Sequence, residues 1–260
     1  VPSDLIYDVG VNVGTDSAYY LHKGFRVVGI EASPPLADQL RLMFSNEIAT
    51  GQYTLLNVGV AAEAGEFDFW VCDTKSEWSS FDRKIASRNG AEHHSVKVKT
   101  LRFDQIVAEH GIPLYCKVDI EGNDWLCLAG MDPQTRPRYV SIEMSYEKGD
   151  RDFKLLRDLG FKEYKIISQV SWSQPTQALI SLNRKLPYRL RRISLAAEGL
   201  LRGVRSDGDW KFEFGSSGSF AESTPGRWHS FDEAYATWLK LHHLAKSGSS
   251  LGDWYDIHAR

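Results

Sequence analysis

Cysteine is scarce in this 260-residue chain, which has only Cys72, Cys116 and Cys127. An odd count without zinc-ligand spacing argues against a disulfide framework or a zinc module and suits a reducing compartment. Cys116 falls in an apolar strand pattern and Cys127 in a helical one, where Cys acts as a small apolar residue. Long apolar runs are also missing, so no membrane span is expected, and the N-terminus does not have the pattern of a signal peptide. Neither sign of charge prevails, with 31 Lys plus Arg against 34 Asp plus Glu. That balance speaks against general binding to nucleic acid or to anionic membranes. No internal repeat is found. An apolar strand begins within five residues of Val1, so little is expected to precede the fold, and the cytoplasm is the expected compartment.

What the chain does contain is a glycine turn between a strand and a helix. Leu5-Ile-Tyr-Asp-Val9 is an apolar run that leads into Gly10, Asn12 and Gly14, with a helix starting near Thr15. Such a turn allows backbone N–H groups to approach a ligand at the positive end of a helix. A G-x-G-x-x-G fingerprint would need glycine at 12 and 15, where Asn12 and Thr15 stand. The loop therefore suits a nucleotide-like ligand but not a pyrophosphate. The next strand, Phe25-Arg-Val-Val-Gly-Ile30, ends in Glu31, 21 residues after Gly10. An acid at that strand tip is placed to accept hydrogen bonds from a ribose.

Strand and helix patterns alternate through the first 180 residues. Strands are expected at 5–9, 26–31, 53–58, 114–120, 139–143, 161–167 and 178–182, with further ones at 66–71 and 96–101. Helices are expected near 15–23, 35–45, 103–110, 123–129 and 150–159; Leu36, Leu40, Met43 and Phe44 would share one face of the second. Residues 73–95 read as a long polar loop. This alternation implies an α/β fold, a mostly parallel sheet with helices on both faces and a ligand beyond the carboxyl ends of its strands. The reading gives a ligand-binding domain over 1–182 and a C-terminal extension over 183–260, expected to cap the acceptor side. Within the extension, residues 184–205 carry seven positive charges against Glu198 alone. A capping box, Ser230-Phe-Asp-Glu233, opens a helix expected to end near Ser247-Gly248.

Lys117, Asp119 and Glu121 alternate along the end of the strand at 114–120, so a regular strand would point all three one way. Charged groups there are costly to bury without partners, which favours a ligand-facing role. Glu143 ends the next strand in the equivalent place, and Asp119, Glu121 and Glu143 are the candidate catalytic acids.

Taken in order, Asp8-Val-Gly-Val-Asn-Val-Gly14, Gly29-Ile-Glu-Ala32, Asn57-Val-Gly-Val-Ala61, Lys117-Val-Asp-Ile-Glu-Gly122 and Ser-Ile-Glu143 resemble the FkbM family of S-adenosylmethionine-dependent methyltransferases. The resemblance covers about residues 5–182. It implies a class I methyltransferase fold, Rossmann-like, with a seven-stranded sheet whose last strand is antiparallel, and S-adenosyl-L-methionine as cofactor. It further implies that Asp8, Gly10, Asn12 and Gly14 hold the methionine end and Glu31 the ribose, that Asn57 and Val58 lie by the adenine, and that Ala32, next to Glu31, belongs to the same cofactor site. One departure is Ala32-Ser-Pro34, where members usually place proline directly after the acid.

The expected activity is O-methylation of a sugar or glycoconjugate hydroxyl. Trp172, Trp210, Trp228 and Trp254 lie in segments expected to line the acceptor side, where sugar rings stack on such side chains. Alternative readings are methylation of a polyketide or other small metabolite, a non-catalytic nucleoside-binding or scaffold protein, and a nicotinamide oxidoreductase, which the absent glycines disfavour. Ser33-Pro-Pro-Leu36 resembles the motif of amino-methylating DNA enzymes but lacks the aromatic and follows the wrong strand. His93-His94 and His242-His243 diverge in direction on a strand or helix, so no metal site is expected.

Overall fold

The computed structural model describes residues 3–183, 185–246 and 254–260. The chain divides into two compact units, 1–138 and 139–260. A seven-stranded sheet contains β1 (Leu5–Val9), β2 (Arg26–Ile30), β3 (Tyr53–Leu56), β4 (Tyr115–Val118), β5 (Tyr139–Glu143), β6 (Tyr164–Ser168) and β7 (Tyr255–Ala259), in the order β3-β2-β1-β4-β5-β7-β6.

In the first unit β1, β2, β3 and β4 are parallel. β1 and β4 are buried along their whole length, which is why Leu-Ile-Tyr and Tyr-Cys read as continuous apolar runs rather than alternating ones. Tyr20 packs edge-on against Tyr115 at 5.8 Å, joining the helix Thr15–His22 to the sheet. The helix Pro34–Met43 uses its prolines in the first turn and buries Ala37 and Leu40, with Phe44 just beyond. Met43, expected on that face, is instead 58% exposed, because the helix ends there and the chain turns into Ser45–Thr50. The segments expected as strands at 66–71 and 96–101 leave the main sheet. Gly65–Cys72 and His93–Leu101 pair antiparallel, and Gly59–Val60 adds a third strand to this small sheet. The polar stretch between them contains three short helical turns, Ser76–Trp78, Arg83–Ala86 and Arg88–Gly90.

The second unit corrects one expectation. Residues 178–182 form no strand; they lie in the helix Gln177–Asn183. Leu179, Ile180 and Asn183 form its buried face at helical spacing, and a five-residue apolar run does not distinguish helix from strand by periodicity. The seventh strand is β7, inside the stretch expected to be an extension, and it runs antiparallel between β5 and β6. An antiparallel strand needs no crossover, so residues 255–259 are free to insert there. Phe153, Tyr164, Phe231, Tyr235 and Trp238 form an aromatic cluster with Phe153 at its centre, ring separations from it being 5.7–6.2 Å. The capping box is formed, since Ser230 N–H donates to Glu233 Oε2 and Glu233 N–H to Ser230 Oγ, and the helix Phe231–Lys246 follows. Its expected end at Ser247-Gly248 lies outside the described residues.

Ile257 of β7 sits in a buried row between Ile142 and Ile166. Ile257→Asp is expected to destabilise the chain by at least about 3–5 kcal/mol, because a carboxylate would be buried there without a partner. Trp254→Ala, at an exposed residue just before the strand, should stay within about 0.5 kcal/mol. Thermal melts of the two variants provide the comparison.

Candidate functional site

Gly10 leaves β1 with φ +85°. A side chain there would put its Cβ 1.8 Å from the Asp119 carbonyl oxygen, so glycine is demanded by the neighbouring strand end as well as by the turn. Gly10 and Val11 donate their N–H groups to Ile30 O at 2.9 and 3.3 Å. Asn12, itself left-handed at φ +52°, donates its N–H to Glu31 Oε2 at 2.8 Å. Three successive amides expected to face a ligand are thus turned inward. Gly14, at φ +88°, ends the loop and precedes the helix Thr15–His22.

Glu31 is buried, and its second oxygen accepts from Ser33 N–H at 2.8 Å. Burial raises its pKa to about 7 against the opposing effect of those two amides. Asn57 Nδ2 donates to the carbonyls of Glu31 and Ala32 at 2.8 and 3.2 Å, fixing the chain just beyond β2. Val58 is half-buried beside it. Asp8, Gly10, Asn12, Gly14, Glu31, Ala32 and Asn57 are therefore drawn into one bonded neighbourhood at the β1 and β2 tips.

Lys117 is the buried hub beneath this loop. Its Nζ lies 3.5 Å from Asp8 Oδ1, 3.5 Å from Asp16 Oδ2 and 3.6 Å from Asp119 Oδ2. Asp8 is fully buried and also accepts from Ser17 Oγ at 2.6 Å. Burial raises its pKa to about 6; Lys117 opposes the rise and the like charge of Asp16 adds to it. Asp8 thus lies behind the loop rather than at an open surface. Asp119, with a side chain 32% exposed, is the carboxylate of this cluster that reaches outward.

The even alternation expected for Lys117, Asp119 and Glu121 does not hold. β4 ends at Val118, and Glu121 adopts φ +49° with Gly122 at +94°. Asp124 holds this turn by accepting from Ile120 N–H and Gly122 N–H at 3.1 and 3.2 Å. Glu121 is thereby turned to Arg88, 3.1 Å away. Burial raises the Glu121 pKa to about 8; the nearby Asp119 charge adds to this and Arg88 works against it.

The polar stretch 73–95 supplies residues that sequence reasoning missed. Ser76 Oγ donates to Asn12 Oδ1 at 2.8 Å, Ser80 Oγ to the Glu121 carbonyl at 3.0 Å, and Arg88 meets Glu121. Asp16 and Asp124 were also missed, although an acid in the first turn of a helix after a glycine is a readable signal for both. Nothing local marks Ser76, Ser80 or Arg88.

In the second unit Glu143 closes β5, in register with Asp256. Of the four tryptophans expected to offer stacking surfaces, Trp172 is buried against Phe212 and donates to Ser216 O. Lys165 and Arg260 lie over the Trp228 ring at 4.5 and 4.6 Å. Trp210 is half-buried and Trp254 exposed. A cavity of about 490 Å³ is lined within this unit by Ile166, Gln174, Arg202, Arg227 and His229, among others. His93 and His94 turn to Arg83 and Asp73 respectively, and His242 contacts the Tyr146 carbonyl. Among the described residues no group of three or more His, Cys, Asp or Glu side chains is placed to hold a metal ion. Nor is any described helix long and apolar enough to cross a membrane.

The strand order, the antiparallel seventh strand and a glycine loop locked to an acid at the β2 tip define a class I methyltransferase fold. The methyltransferase FkbM domain model matches residues 8–165, and the chain belongs to that family. Among solved structures, it is similar to the methyltransferase FkbM from Methylobacillus flagellatus KT, with 17% identity over 64% of this chain, 40% of that one, and a TM-score of 0.45. It is also similar to an O-methyltransferase from Bacillus cereus in complex with SAH, with 13% identity over 64% of this chain, 68% of that one, and a TM-score of 0.36. A precorrin-6y C5,15-methyltransferase from Geobacter metallireducens GS-15 matches with 10% identity over 100% of this chain, 81% of that one, and a TM-score of 0.39. The chain spans well under two thirds of the length of the Methylobacillus protein. No curated protein matches the sequence.

Glu121 gives the apo protein a defined pH dependence. Its folded pKa of about 8 exceeds the ordinary value of 4.5, so its contribution to stability is complete below about 4.5 and is lost as pH rises to about 8. Glu31 and Asp8, also raised, act in the same direction up to about 7 and 6. Buried His258, pushed down to about 3, acts in the opposite sense below about pH 6.5, so urea midpoints of the wild type are expected to fall between about pH 6.5 and 8. Glu121→Gln, which keeps the side-chain shape, should remove roughly 1–3 kcal/mol of that fall.

Proposed function

We propose that this protein is an S-adenosylmethionine-dependent O-methyltransferase acting on a hydroxyl of a sugar or glycoconjugate. The observation that carries the cofactor assignment is the donor set at the β1 and β2 tips. The loop amides are spent on Ile30 O and Glu31, and the ammonium beneath them is enclosed by three carboxylates, so little is left for a phosphate. What remains is carboxylate: Glu31, whose oxygens retain lone pairs beyond their two amide bonds, and the outward Asp119. Such a set suits a cationic ligand with vicinal hydroxyls, which S-adenosylmethionine is. In this reading Glu31 takes the ribose hydroxyls, the segment around Gly10, Asn12 and Gly14 the methionine end, and Ala32, Asn57 and Val58 border the adenine. Asp8 acts from behind, by fixing Lys117 and Ser17.

When bound, the sulfonium supplies an activated methyl group with a neutral leaving group. The chain's own work is then positioning the acceptor oxygen in line, excluding water and accepting one proton. Ser76, Ser80 and Arg88 fasten the 73–95 segment to the loop and to Glu121, which supports water exclusion. Asp119 is the leading general base because it is the exposed carboxylate of the cluster. Glu121, held by Arg88, and Glu143 are the further candidates. The sugar assignment rests on the tryptophan-rich second unit, where Trp254 keeps an exposed ring, and residues 183–260 are read as the acceptor-side cap.

Calorimetry with S-adenosylhomocysteine tests the cofactor site. Glu31→Ala should weaken binding by about 1.5–3 kcal/mol through loss of charged hydrogen bonds; an unchanged affinity in a folded variant removes Glu31 from the site. Methyl transfer from labelled donor to a panel of sugars, nucleotide sugars and lipid-linked oligosaccharides tests the activity. Asp119→Asn should lower turnover by roughly 10²–10⁴ while keeping cofactor affinity. Joint loss of binding and turnover would instead assign Asp119 to the cofactor.

A further inference from the structure

The basic segment that sequence analysis singled out forms the helix Tyr188–Arg202, and its exposed face is apolar. Leu190, Ile193, Leu200 and Leu201 are 47%, 64%, 72% and 82% exposed. At about 100° per residue these four fall within a single arc of roughly 100°, spread over about 16 Å of helix. The opposite side holds the helix to its own unit. Gly199 is buried against Ser171, and Arg191 is buried with its Nε donating to Leu186 O at 2.7 Å. Gly199 and Arg191 therefore mount the helix on its unit, while Leu190, Ile193, Leu200 and Leu201 face away. A folded soluble chain rarely exposes so many aligned leucines and isoleucines without an occupant.

Charge decides which occupant fits. Residues 184–205 hold seven positive charges and one negative, a local excess of six in a chain whose net charge is −3. Lys185, Arg189, Arg202 and Arg205 are exposed, so the apolar stripe is bordered by cations. A second copy of this chain would bring two such basic segments together and be repelled. Nucleic acid would engage the cations and leave the leucines in water. An anionic bilayer satisfies both, taking the aliphatic stripe into the acyl boundary and the cations into its headgroups.

We propose that the helix Tyr188–Arg202 is an interfacial element that seats this protein on anionic membrane surfaces. The helix lies in the plane of the surface and does not span it, because at 15 residues it is too short and carries too many charges. The proposal does not rest on the cofactor-site reading, since the helix, although within the segment read as the acceptor-side cap, contributes nothing to the loop, the Lys117 cluster or the candidate acids.

Co-sedimentation of the full chain with vesicles tests it, using phosphatidylcholine alone and phosphatidylcholine with about a third phosphatidylglycerol. Binding is expected to the anionic vesicles at low salt, with little to the neutral ones and a decline as salt rises. Leu200→Asn combined with Leu201→Asn, and separately Lys185→Glu combined with Arg189→Glu, should each lower partitioning at least about tenfold. Both double variants should retain the wild-type melting temperature and S-adenosylhomocysteine affinity. A wild-type chain that stays in the supernatant with anionic vesicles overturns the proposal. So does binding that the charge variant abolishes and the asparagine variant leaves intact, which would mean charge attraction without insertion. Sedimentation velocity showing a dimer that the asparagine variant dissociates, without vesicle binding, would assign the face to a second copy and overturn it as well.

Discussion

The ammonium of Lys117 is the interaction on which the candidate site depends. It is buried on β4 and draws together Asp8 of β1, Asp16 of the first helix and Asp119 beyond β4, all within 3.6 Å. Leaving Lys117, Asp8 or Asp16 buried without its partner would cost several kcal/mol, about 3–5 for a broken buried pair. Two strand ends and a helix start are thus tied to one point. With three carboxylates about one ammonium the cluster leans negative; burial raises the pKa of Asp8, the like charge of Asp16 adds to it, and Asp119 lies outward. A negative strand-tip region favours a cationic ligand and disfavours a polyphosphate.

A second constraint acts on the loop above. Glu31 serves as a splint, with one oxygen on Asn12 N–H and the other on Ser33 N–H, so the β1 and β2 tips hold one another. Asn12 in turn accepts a hydrogen bond from Ser76 Oγ at its side-chain oxygen. A glycine-rich turn is commonly read as a phosphate cradle, but here its first amides are internal structural donors. The same sequence feature therefore serves a different chemistry, and the difference lies in where the N–H groups point.

Much of the sheet was legible. Apolar runs marked β1, β2, β4 and β5 because strands buried on both faces need continuous apolar sequence. The acid after β2 and the glycines after β1 were readable because turn chemistry and spacing are local. Errors arose where an apolar segment was too short to carry a period, as at 178–182, or where a residue left the expected conformation. Glu121 is the clearest case. Alternation placed it beside Lys117 and Asp119, yet its positive φ and the bonds from Ile120 and Gly122 to Asp124 turn it to Arg88. The left-handed conformation of a glutamate has no sequence signature of its own.

By itself the amino-acid sequence determined the α/β class, the family and the residues that meet at the strand tips. Each follows from local periodicity, turn chemistry or motif spacing. Tertiary structure alone decided which chain segment completes the sheet, since β7 comes from residues 255–259, far along the chain from β5 and β6. It also decided that Asp8 is buried while Asp119 is open, that Ser76 and Arg88 belong to the loop's surroundings, and that Leu190, Leu200 and Leu201 of the basic helix face outward. These outcomes depend on packing between segments distant in sequence, where burial and charge pairing are properties of the assembled neighbourhood rather than of any one stretch.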